Sequence, residues 1–240
     1  MQDSRIITID GPAGCGKSTA VRLLADRLGA IAFSSGTVYR TVACLVLRST
    51  SGPKIEQLSD ERRRNLALGV IGDHRIEIHE SDASGPREFR VTVDGIDLGD
   101  ELHTSIVTRE VHWFADDAEV RAALLPLQRS IRASVPIVTE GRDMGSVVFP
   151  DAAAKVFLTA SLSARAERRH RELLGRGEDV SLEEVEADVA ARDRFDRNRV
   201  VAPLIEPTGA VVIDSTDLTP AQVVERILEC VPPEWSETCA

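Results

Sequence analysis

The chain has 240 residues, of which 42% are hydrophobic and 28% charged, a composition typical of one enzyme-sized globular core and unlike that of disordered or collagen-like chains. Its net charge of −10 argues against nonspecific binding to nucleic acid. No apolar run approaches the ~18 residues that span a bilayer, and the first five residues lack a signal-peptide pattern. The four cysteines, Cys15, Cys44, Cys230 and Cys239, have no metal-ligand spacing. A reduced cytoplasmic setting is therefore expected.

The first elements in the chain alternate between strand and helix. Residues 5–10 are predicted to form a short buried strand that Gly11 and Pro12 stop. A helix is predicted from Lys17, with apolar residues at i, i+3 and i+7, and Gly29 is placed to end it. A strand over 31–33 and a helix over 37–47 follow. This order predicts an α/β fold with a parallel sheet and helices on its faces.

The middle of the chain has a different pattern. The charged run 60–64 is interpreted as the solvated face of a helix. Segments 76–79 and 89–93 alternate apolar with polar residues, and residues 81–86 between them have turn chemistry, which predicts an antiparallel hairpin. A hairpin inside an α/β chain indicates an inserted subdomain.

The second half returns to strands and helices. Helical spacing extends over about 105–132, and strands are predicted at 137–139, 155–158 and 210–214. A capping box at 181–184 begins a helix that is predicted to run to about residue 193. Thr219 and Pro220 begin a final helix.

One segment fits the phosphate-loop pattern G-x-x-x-x-G-K-S/T without a mismatch, and it follows a predicted strand and opens a predicted helix. In such a loop successive backbone N–H groups face phosphate oxygens, the lysine reaches the β- and γ-phosphates and the hydroxyl holds Mg²⁺. The alternative is a glycine-rich turn before an ordinary helix. Cys15 is interpreted as a small loop residue without chemistry of its own. The predicted ATP-binding residues are Gly11, Pro12, Ala13, Gly14, Cys15, Gly16, Lys17, Ser18 and Thr19, with Ser18 on the metal.

A phosphate loop predicts nucleotide binding but not a particular reaction, and the guanine-reading N-K-x-D sequence of GTPases is absent.

The chain has only three lysines beside 26 arginines. Either genomic codon bias or the better fit of guanidinium groups to phosphate explains this excess of arginine. Four groups of arginines lie at strand ends, turns or helix faces: residues 35–40, 141–143, 165–169 and 192–199. Solvated salt bridges are the alternative, since Glu167, Glu172, Asp193 and Asp196 lie among them. Together the groups indicate two phosphate-bearing ligands at one sheet edge.

With these motifs the chain resembles the bacterial cytidylate kinases, a family of nucleoside monophosphate kinases. The resemblance runs from Ile7 to about Val231, nearly the full length. Its most specific strings are Gly-Arg-Asp-Met-Gly at 141–145 and Asp-Arg-Asn-Arg at 196–199, and it also covers Ser-Gly-Thr-Val-Tyr-Arg at 35–40 and Ala-Pro-Leu at 202–204.

The resemblance implies a P-loop fold of three layers, α/β/α, with a central parallel sheet, an inserted acceptor-binding subdomain that contains the hairpin, and a short lid. The implied division is a kinase core over 1–40 and 103–240, an acceptor-binding region over 41–102, and a lid over 165–180 within the core.

The resemblance also implies roles for residues outside the phosphate loop. Cytosine would be read by Ser35, Arg121 and Asp143, the acceptor phosphate held by Arg40, Arg142 and Arg199, and the ribose lined by Tyr39, Arg192 and Asp196. Arg165 and Arg169 would face the transferring phosphate. The implied catalytic set is therefore Lys17, Arg142, Arg165, Arg169 and Arg199.

One position departs from the family pattern. Where the family commonly has a base-contacting serine, about nine residues before Arg121, this chain has His112. Either His112 is a helix residue beside a local core of Trp113 and Phe114, or the acceptor pocket is altered, which bears on pyrimidine specificity.

The expected activity is transfer of phosphate from ATP to CMP and dCMP, with Mg²⁺ and without nucleic-acid or membrane partners, by a monomer. Two alternatives stay open at this point. One is a P-loop kinase for another acceptor, such as UMP or a non-nucleotide metabolite, and the other is a non-catalytic nucleotide-binding regulator.

Overall fold

A computed structural model describes residues 5–50, 54–81, 86–131, 135–232 and residue 235. They fall into two compact units, the first within residues 1–32 and 135–240 and the second within residues 33–134. Cys239 and most of the predicted hairpin turn, residues 82–85, lie outside the described residues. Across the described ranges, no helix combines the length and the apolar character that crossing a bilayer requires.

The secondary structure follows the predicted alternation. The strands are β1 (Ile6–Asp10), β2 (Ile31–Ser34), β3 (Ile76–Glu80), β4 (Phe89–Val93), β5 (Ile96–Asp97), β6 (Ile137–Gly141), β7 (Ala154–Thr159) and β8 (Val211–Asp214). The helices are α1 (Lys17–Arg27), α2 (Ser35–Ser49), α3 (Asp60–Asp73), α4 (Ser105–Glu110), α5 (His112–Ala115), α6 (Ala118–Arg129), α7 (Leu162–Gly175), α8 (Leu182–Asn198) and α9 (Pro220–Leu228). There are also 3₁₀ segments at Ile55–Gln57 and Gly99–His103 and a π-helical turn at Met144–Val148.

The first unit is built on a parallel sheet of strand order β2-β6-β1-β7-β8. The central strand β1 pairs with β6 on one side and β7 on the other, and its last residue, Asp10, is opposite Gly141 of β6. Successive side chains of a strand point to opposite faces of the sheet, and Ile7, Thr8 and Ile9 of β1 are all fully buried, so the sheet is covered on both faces there. The predicted α/β fold with a central parallel sheet is confirmed.

Helices α1 and α9 cover part of this sheet. The apolar face predicted for α1, with Val21, Leu24 and Leu28, is buried in the same core as Ile227 of α9. Helix α1 ends where expected, because Gly29 adopts a φ of 56° that residues with a side chain rarely adopt.

The second unit contains the predicted hairpin. Strands β3 and β4 pair antiparallel, with Ile76 opposite Val93 and Ile78 opposite Val91, and β5 adds a third strand. Phe89 of β4 packs its ring edge-to-face on Phe33, with centroids 6.1 Å apart. The hairpin is therefore confirmed, as part of a three-stranded sheet.

Several element bounds differ from those predicted. Helix α2 begins at Ser35 rather than at residue 37, and α8 continues to Asn198 rather than ending near 193, so the fourth arginine group occupies its last turns. The stretch with helical spacing, about 105–132, contains the three helices α4, α5 and α6. Asp117 starts the third of them, because its side chain accepts the N–H groups of Glu119 and Val120.

The interpretation of residues 60–64 as a solvated face is wrong for Arg63. This side chain is buried, donates to the carbonyl oxygens of Ile55 and Leu58, and lies 3.8 Å from the ring centroid of Trp113. A guanidinium group can be buried in this way because it carries five donors and stacks on aromatic rings. The pattern of charges along the chain did not show that the helix turns Arg63 toward these acceptors.

Candidate active site

The phosphate loop joins β1 to α1 in the first unit, as predicted. A side chain on Gly11 would collide with the carbonyl oxygen of Leu158, so the loop lies directly against β7. Gly16 has a φ of 95° at the N-terminus of α1, a conformation that favours glycine. The two glycines let the backbone wrap at the start of the helix, where N–H groups without helical partners are available to an anion.

Lys17, the first residue of α1, is buried beside the loop that precedes it. Its Nζ donates to the carbonyl oxygen of Pro12 at 2.7 Å and lies 3.7 Å from the Sγ of Cys15. Burial lowers the pKa of Lys17, and the positive charge of Arg142 lowers it further. Cys15 is itself buried and donates from Sγ to the Pro12 carbonyl, which agrees with its interpretation as a loop residue.

Ser18 makes a contact that the sequence did not indicate. Its Oγ donates to Oε1 of Glu140 at 2.6 Å, across 122 residues of sequence. Glu140 is buried in β6, the strand next to β1, and the sequence placed it at a strand end without giving it a role. The position of Glu140 at the carboxyl end of a buried strand could have identified it as a candidate site residue from the sequence, because ligands bind at that edge of a parallel sheet. Thr19 follows Ser18 in the first turn of α1.

Four of the six residues predicted to hold the acceptor phosphate and ribose, Arg142, Arg192, Asp196 and Arg199, meet in the first unit, where Arg142 lies near Lys17. Arg142 donates from Nε to Oδ2 of Asp196 at 2.7 Å. Burial alone would raise the pKa of Asp196, but Arg142, Arg192 and Arg199 outweigh it and hold that pKa below its usual range. Burial also lowers the pKa of Arg192. The structure thus brings these four residues into one charged cluster around the buried carboxylate of Asp196.

Asp143, predicted to read cytosine, is buried after β6. The two residues that follow it, Met144 and Gly145, donate their backbone N–H groups to the carboxylate of Asp10. The sequence identified Asp10 only as the last residue of the predicted strand 5–10 and gave it no role. A carboxylate at the buried carboxyl end of a strand was again the signal that could have identified it.

The arginines of α7 make ion pairs and hydrogen bonds within the first unit. Arg165 is buried, pairs with Asp193 and donates to the carbonyl oxygen of Ala13 in the phosphate loop. Arg168 donates to the backbone and hydroxyl of Ser215, whose own hydroxyl donates to the Cys15 carbonyl.

Arg169, farther along the same helix, pairs with Glu172 in the manner of an exposed salt bridge. The contacts of Arg165 and Arg169 with a phosphate stay predictions.

Two predicted cytosine and ribose residues lie together in the second unit. The guanidinium of Arg121 is 5.3 Å from the ring centroid of Tyr39, and Gln128 donates to the Tyr39 hydroxyl at 3.3 Å. Arg121 also donates to the carbonyl oxygen of Ala115. Gln128 is fully buried and was not singled out from the sequence, where an amide in a helix has no distinguishing pattern.

The other predicted residues of the second unit are nearby along α2. Ser35 is buried as the first residue of that helix, and Arg40 donates to the carbonyl oxygen of Leu102 and the hydroxyl of Thr108. Whether Ser35 and Arg40 contact an acceptor stays a prediction.

His112 is the first residue of α5. Its ring lies 4.4 Å from that of Trp113 between centroids, and Nδ1 is 2.6 Å from the carbonyl oxygen of Arg109. Because a carbonyl only accepts, Nδ1 carries a proton and donates to it. These contacts are those of a helix residue beside a local core, one of the two alternatives for this position.

Residues 7–233 of the chain match the family model described as cytidylate kinase. The chain belongs to the cytidylate kinase family. A cytidylate kinase of Caldanaerobacter subterraneus subsp. tengcongensis is 41% identical over 225 residues, covering 94% of this chain and 93% of that protein. One of Dichelobacter nodosus is 38% identical over 226 residues, covering 93% and 94%. The resemblance to the cytidylate kinase family seen in the sequence motifs is confirmed.

Proposed function

We propose that this protein is an ATP-dependent kinase that converts CMP and dCMP to CDP and dCDP, in pyrimidine nucleotide metabolism. The observation that carries the proposal is the proximity of Lys17 to Arg142 in a member of the cytidylate kinase family. The first belongs to the loop that binds a donor triphosphate, and the second to a cluster that suits an acceptor phosphate. Two anions that must react need cations beside both, since their charges otherwise repel.

The donor is bound by residues 11–19. Backbone N–H groups of the loop and the positive end of α1 attract the phosphates, and the attraction between the Lys17 ammonium and a phosphate is stronger in a buried site than in water. Binding an anion opposes the effect of burial on Lys17, because a nearby negative charge raises the pKa that burial lowers.

Mg²⁺ fits the pair of Ser18 and Glu140. A hydroxyl and a carboxylate oxygen 2.6 Å apart are the hard oxygen donors that Mg²⁺ takes, usually with several waters kept. When bound with ATP, the ion neutralises charge on the β- and γ-phosphates. Ser18 would contact the ion and Glu140 would orient its waters.

For the acceptor, Arg40, Arg142 and Arg199 hold the phosphate. The ribose is contacted by Tyr39, Arg192 and Asp196, and the cytosine edge by Ser35, Arg121 and Asp143. A carboxylate at position 143 accepts a hydrogen bond from the exocyclic amino group of cytosine. Uracil has a carbonyl there, so UMP would leave the buried carboxylate facing a second acceptor and would be disfavoured.

The reaction is a direct in-line displacement. An oxygen of the monophosphate forms a bond to the γ-phosphorus while the bond from that phosphorus to the bridging oxygen breaks, and ADP leaves. The attacking oxygen is already anionic near neutral pH, so no general base is needed and Asp143 serves recognition. For Arg165 and Arg169 to contact the transferring phosphate, each must exchange its carboxylate partner for it as residues 165–180 close as a lid.

Acceptor profiling tests the proposal. The purified protein, with ATP and Mg²⁺, is assayed for ADP formation with CMP, dCMP, UMP and shikimate. CMP and dCMP are expected to be the best acceptors, and preference for UMP or shikimate would contradict the proposal. Binding of ATP without ADP formation from any acceptor would instead favour the non-catalytic regulator.

A variant sharpens the result. Asp143→Ala is expected to lose the preference for CMP over UMP while ATP binding is kept. The control is Asp151→Ala, which changes an exposed carboxylate that follows the π-helical turn 144–148, and it is expected to keep that preference. Action as a monomer and in the cytoplasm remain predictions.

A further inference from the structure

The carboxylate of Asp10 is fully buried at the end of β1, immediately before the phosphate loop. Its Oδ1 accepts the N–H of Met144 at 2.8 Å and its Oδ2 accepts the N–H of Gly145 at 2.7 Å. Both oxygens are thus directed at one short stretch of backbone. Hydrogen bonds to a charged acceptor are stronger than bonds between neutral groups.

That stretch begins directly after Arg142 and Asp143. Met144 and Gly145 open the π-helical turn, and the carbonyl oxygen of Asp143 accepts the N–H groups of Val147 and Val148 at 2.9 and 3.1 Å. On the other side, Gly141 is held in β6 opposite Asp10 itself. The backbone that presents Arg142 and Asp143 is therefore attached to the end of β1 before and after these two residues.

Gly145 lies against β1 with no space for a side chain. A Cβ at this position would be 2.7 Å from Oγ1 of Thr8 and 3.1 Å from Pro207. Contacts at that distance force neighbouring atoms to move. The short distance from Asp10 to Gly145 thus depends on the missing side chain as well as on the carboxylate.

A buried charge is costly to the fold. Burial raises the pKa of Asp10 to about 6, against the bonds from Gly145 and Met144 that lower it. Near neutral pH the group is still charged and can accept on both oxygens. A neutral side chain of the same size would avoid the cost of burial but would not accept two N–H groups in this geometry.

We propose that Asp10 is a positioning residue of the acceptor site, which holds the backbone of Arg142 and Asp143 in place beside the phosphate loop without contacting the acceptor. This inference rests on the proposed function. It implies that one side chain sets the distance between the loop that holds the donor and the residues that hold the acceptor.

The variant Asp10→Asn tests this, because an amide keeps the size of the side chain but presents an N–H₂ to one of the two N–H groups. We expect the KM for CMP to rise at least about tenfold and kcat to fall, with the KM for ATP changed less than about threefold. Thr139→Val is the matched control. It alters a fully buried side chain of the neighbouring strand β6 whose Oγ1 makes no hydrogen bond with a described residue, and it is expected to keep both constants within about twofold.

A second variant separates position from charge. Gly145→Ala keeps the carboxylate of Asp10 but moves the backbone N–H of residue 145 away from it, and we expect the same selective rise in the KM for CMP. If removal of a negative charge were the whole effect of Asp10→Asn, the site would become more positive and the KM for CMP would fall. A fall, no change, or an equal rise in both KM values in Asp10→Asn would overturn the proposal. If Asp10→Asn does not fold, the KM values for CMP and ATP measured in Gly145→Ala decide the proposal in the same way.

Hydrogen exchange supplies a measurement that does not depend on turnover. In Asp10→Asn the amides of Met144 and Gly145 are expected to exchange at least about tenfold faster than in the wild type, while those of β7 are unchanged. Unchanged exchange at 144 and 145 would overturn the proposal. If the wild type prefers an acceptor other than CMP, the proposed function fails, and the same constants measured with that acceptor still decide the role of Asp10.

Discussion

Arg165 and Asp193 form a buried bidentate ion pair between α7 and α8. Nη1 and Nη2 of the arginine lie 2.9 and 2.6 Å from Oδ1 and Oδ2 of the aspartate, and the two side chains are 4% and 7% exposed. Nη1 and Nε also donate to the carbonyl oxygens of Ala13 and Ala160. The pair thus ties both helices to the phosphate loop, and removing one partner leaves a buried charge.

Removing Asp193 is expected to destabilise the protein strongly. Asp193→Ala leaves the Arg165 guanidinium buried without its counter-ion, which costs about 3–5 kcal/mol in the free energy of unfolding. Urea denaturation of the wild type and of Asp193→Ala measures this loss in the free energy of unfolding. Glu172→Ala, which breaks the half-exposed pairs with Arg169 and Arg176, is the control and is expected to cost less than about 1 kcal/mol. Equal losses from the two variants would contradict this prediction.

Replacing both partners is expected to recover much of the loss. In Arg165→Met with Asp193→Leu no charge is left buried, and such apolar replacements of buried pairs are often neutral or stabilising. The bond to the Ala13 carbonyl and the proposed contact with the transferring phosphate are both still absent, so kcat/KM for ATP is expected to stay reduced when stability has recovered. Recovery of both stability and kcat/KM would mean that Arg165 has no part in binding or transferring the phosphate.

Loss of the Lys17 ammonium is expected to reduce kcat/KM for ATP by a factor on the order of 10²–10³, the usual effect of removing one donor that stabilises the transition state. The variant is Lys17→Met, and steady-state kinetics with CMP as acceptor give the value. Lys155→Met is the control, because Lys155 donates to the Thr208 carbonyl and no phosphate role is proposed for it. A change of similar size in both variants would contradict the assignment.

The dependence of activity on Mg²⁺ is expected to shift when Ser18 or Glu140 is changed. In Ser18→Ala and in Glu140→Gln the Mg²⁺ concentration for half-maximal activity should rise about 10- to 100-fold, as for other residues that orient metal-bound groups. Glu206→Gln, at an exposed position, serves as the control. An unchanged Mg²⁺ titration in both site variants would remove Ser18 and Glu140 from the metal site.

Asp10 is expected to impose a pH dependence on stability. Burial raises its pKa from 3.8 to about 6, nearby Asp143 raises it as well, and Lys17 lowers it. The folded state therefore binds this proton more tightly than the unfolded state, so stability falls as the pH rises through the interval between those values, by about 3 kcal/mol in total. Denaturation of the wild type and of Asp10→Asn from about pH 4 to about pH 7 measures the difference. The free energy of unfolding of the wild type minus that of Asp10→Asn is expected to decrease as the pH rises. A difference that stays constant or increases would contradict the raised pKa.

The order of strands and helices, the phosphate loop and the hairpin could be predicted from the sequence. Each depends on residues close together in the chain: the spacing of apolar side chains in α1, the alternation in β3 and β4, the capping box of α8, and the glycines before Lys17. The family resemblance rested on such strings too, which is why it could be recognised before the fold was known.

The tertiary structure alone decided which distant side chains meet. Ser18 and Glu140 are 122 residues apart, Asp10 and Met144 are 134 apart, and Arg165 reaches Asp193 across 28. Strand order determines the first two contacts, because β1 lies beside β6 although the whole second unit separates them in the chain. Local propensity carries no information about that pairing, whereas burial of both strands in one core does.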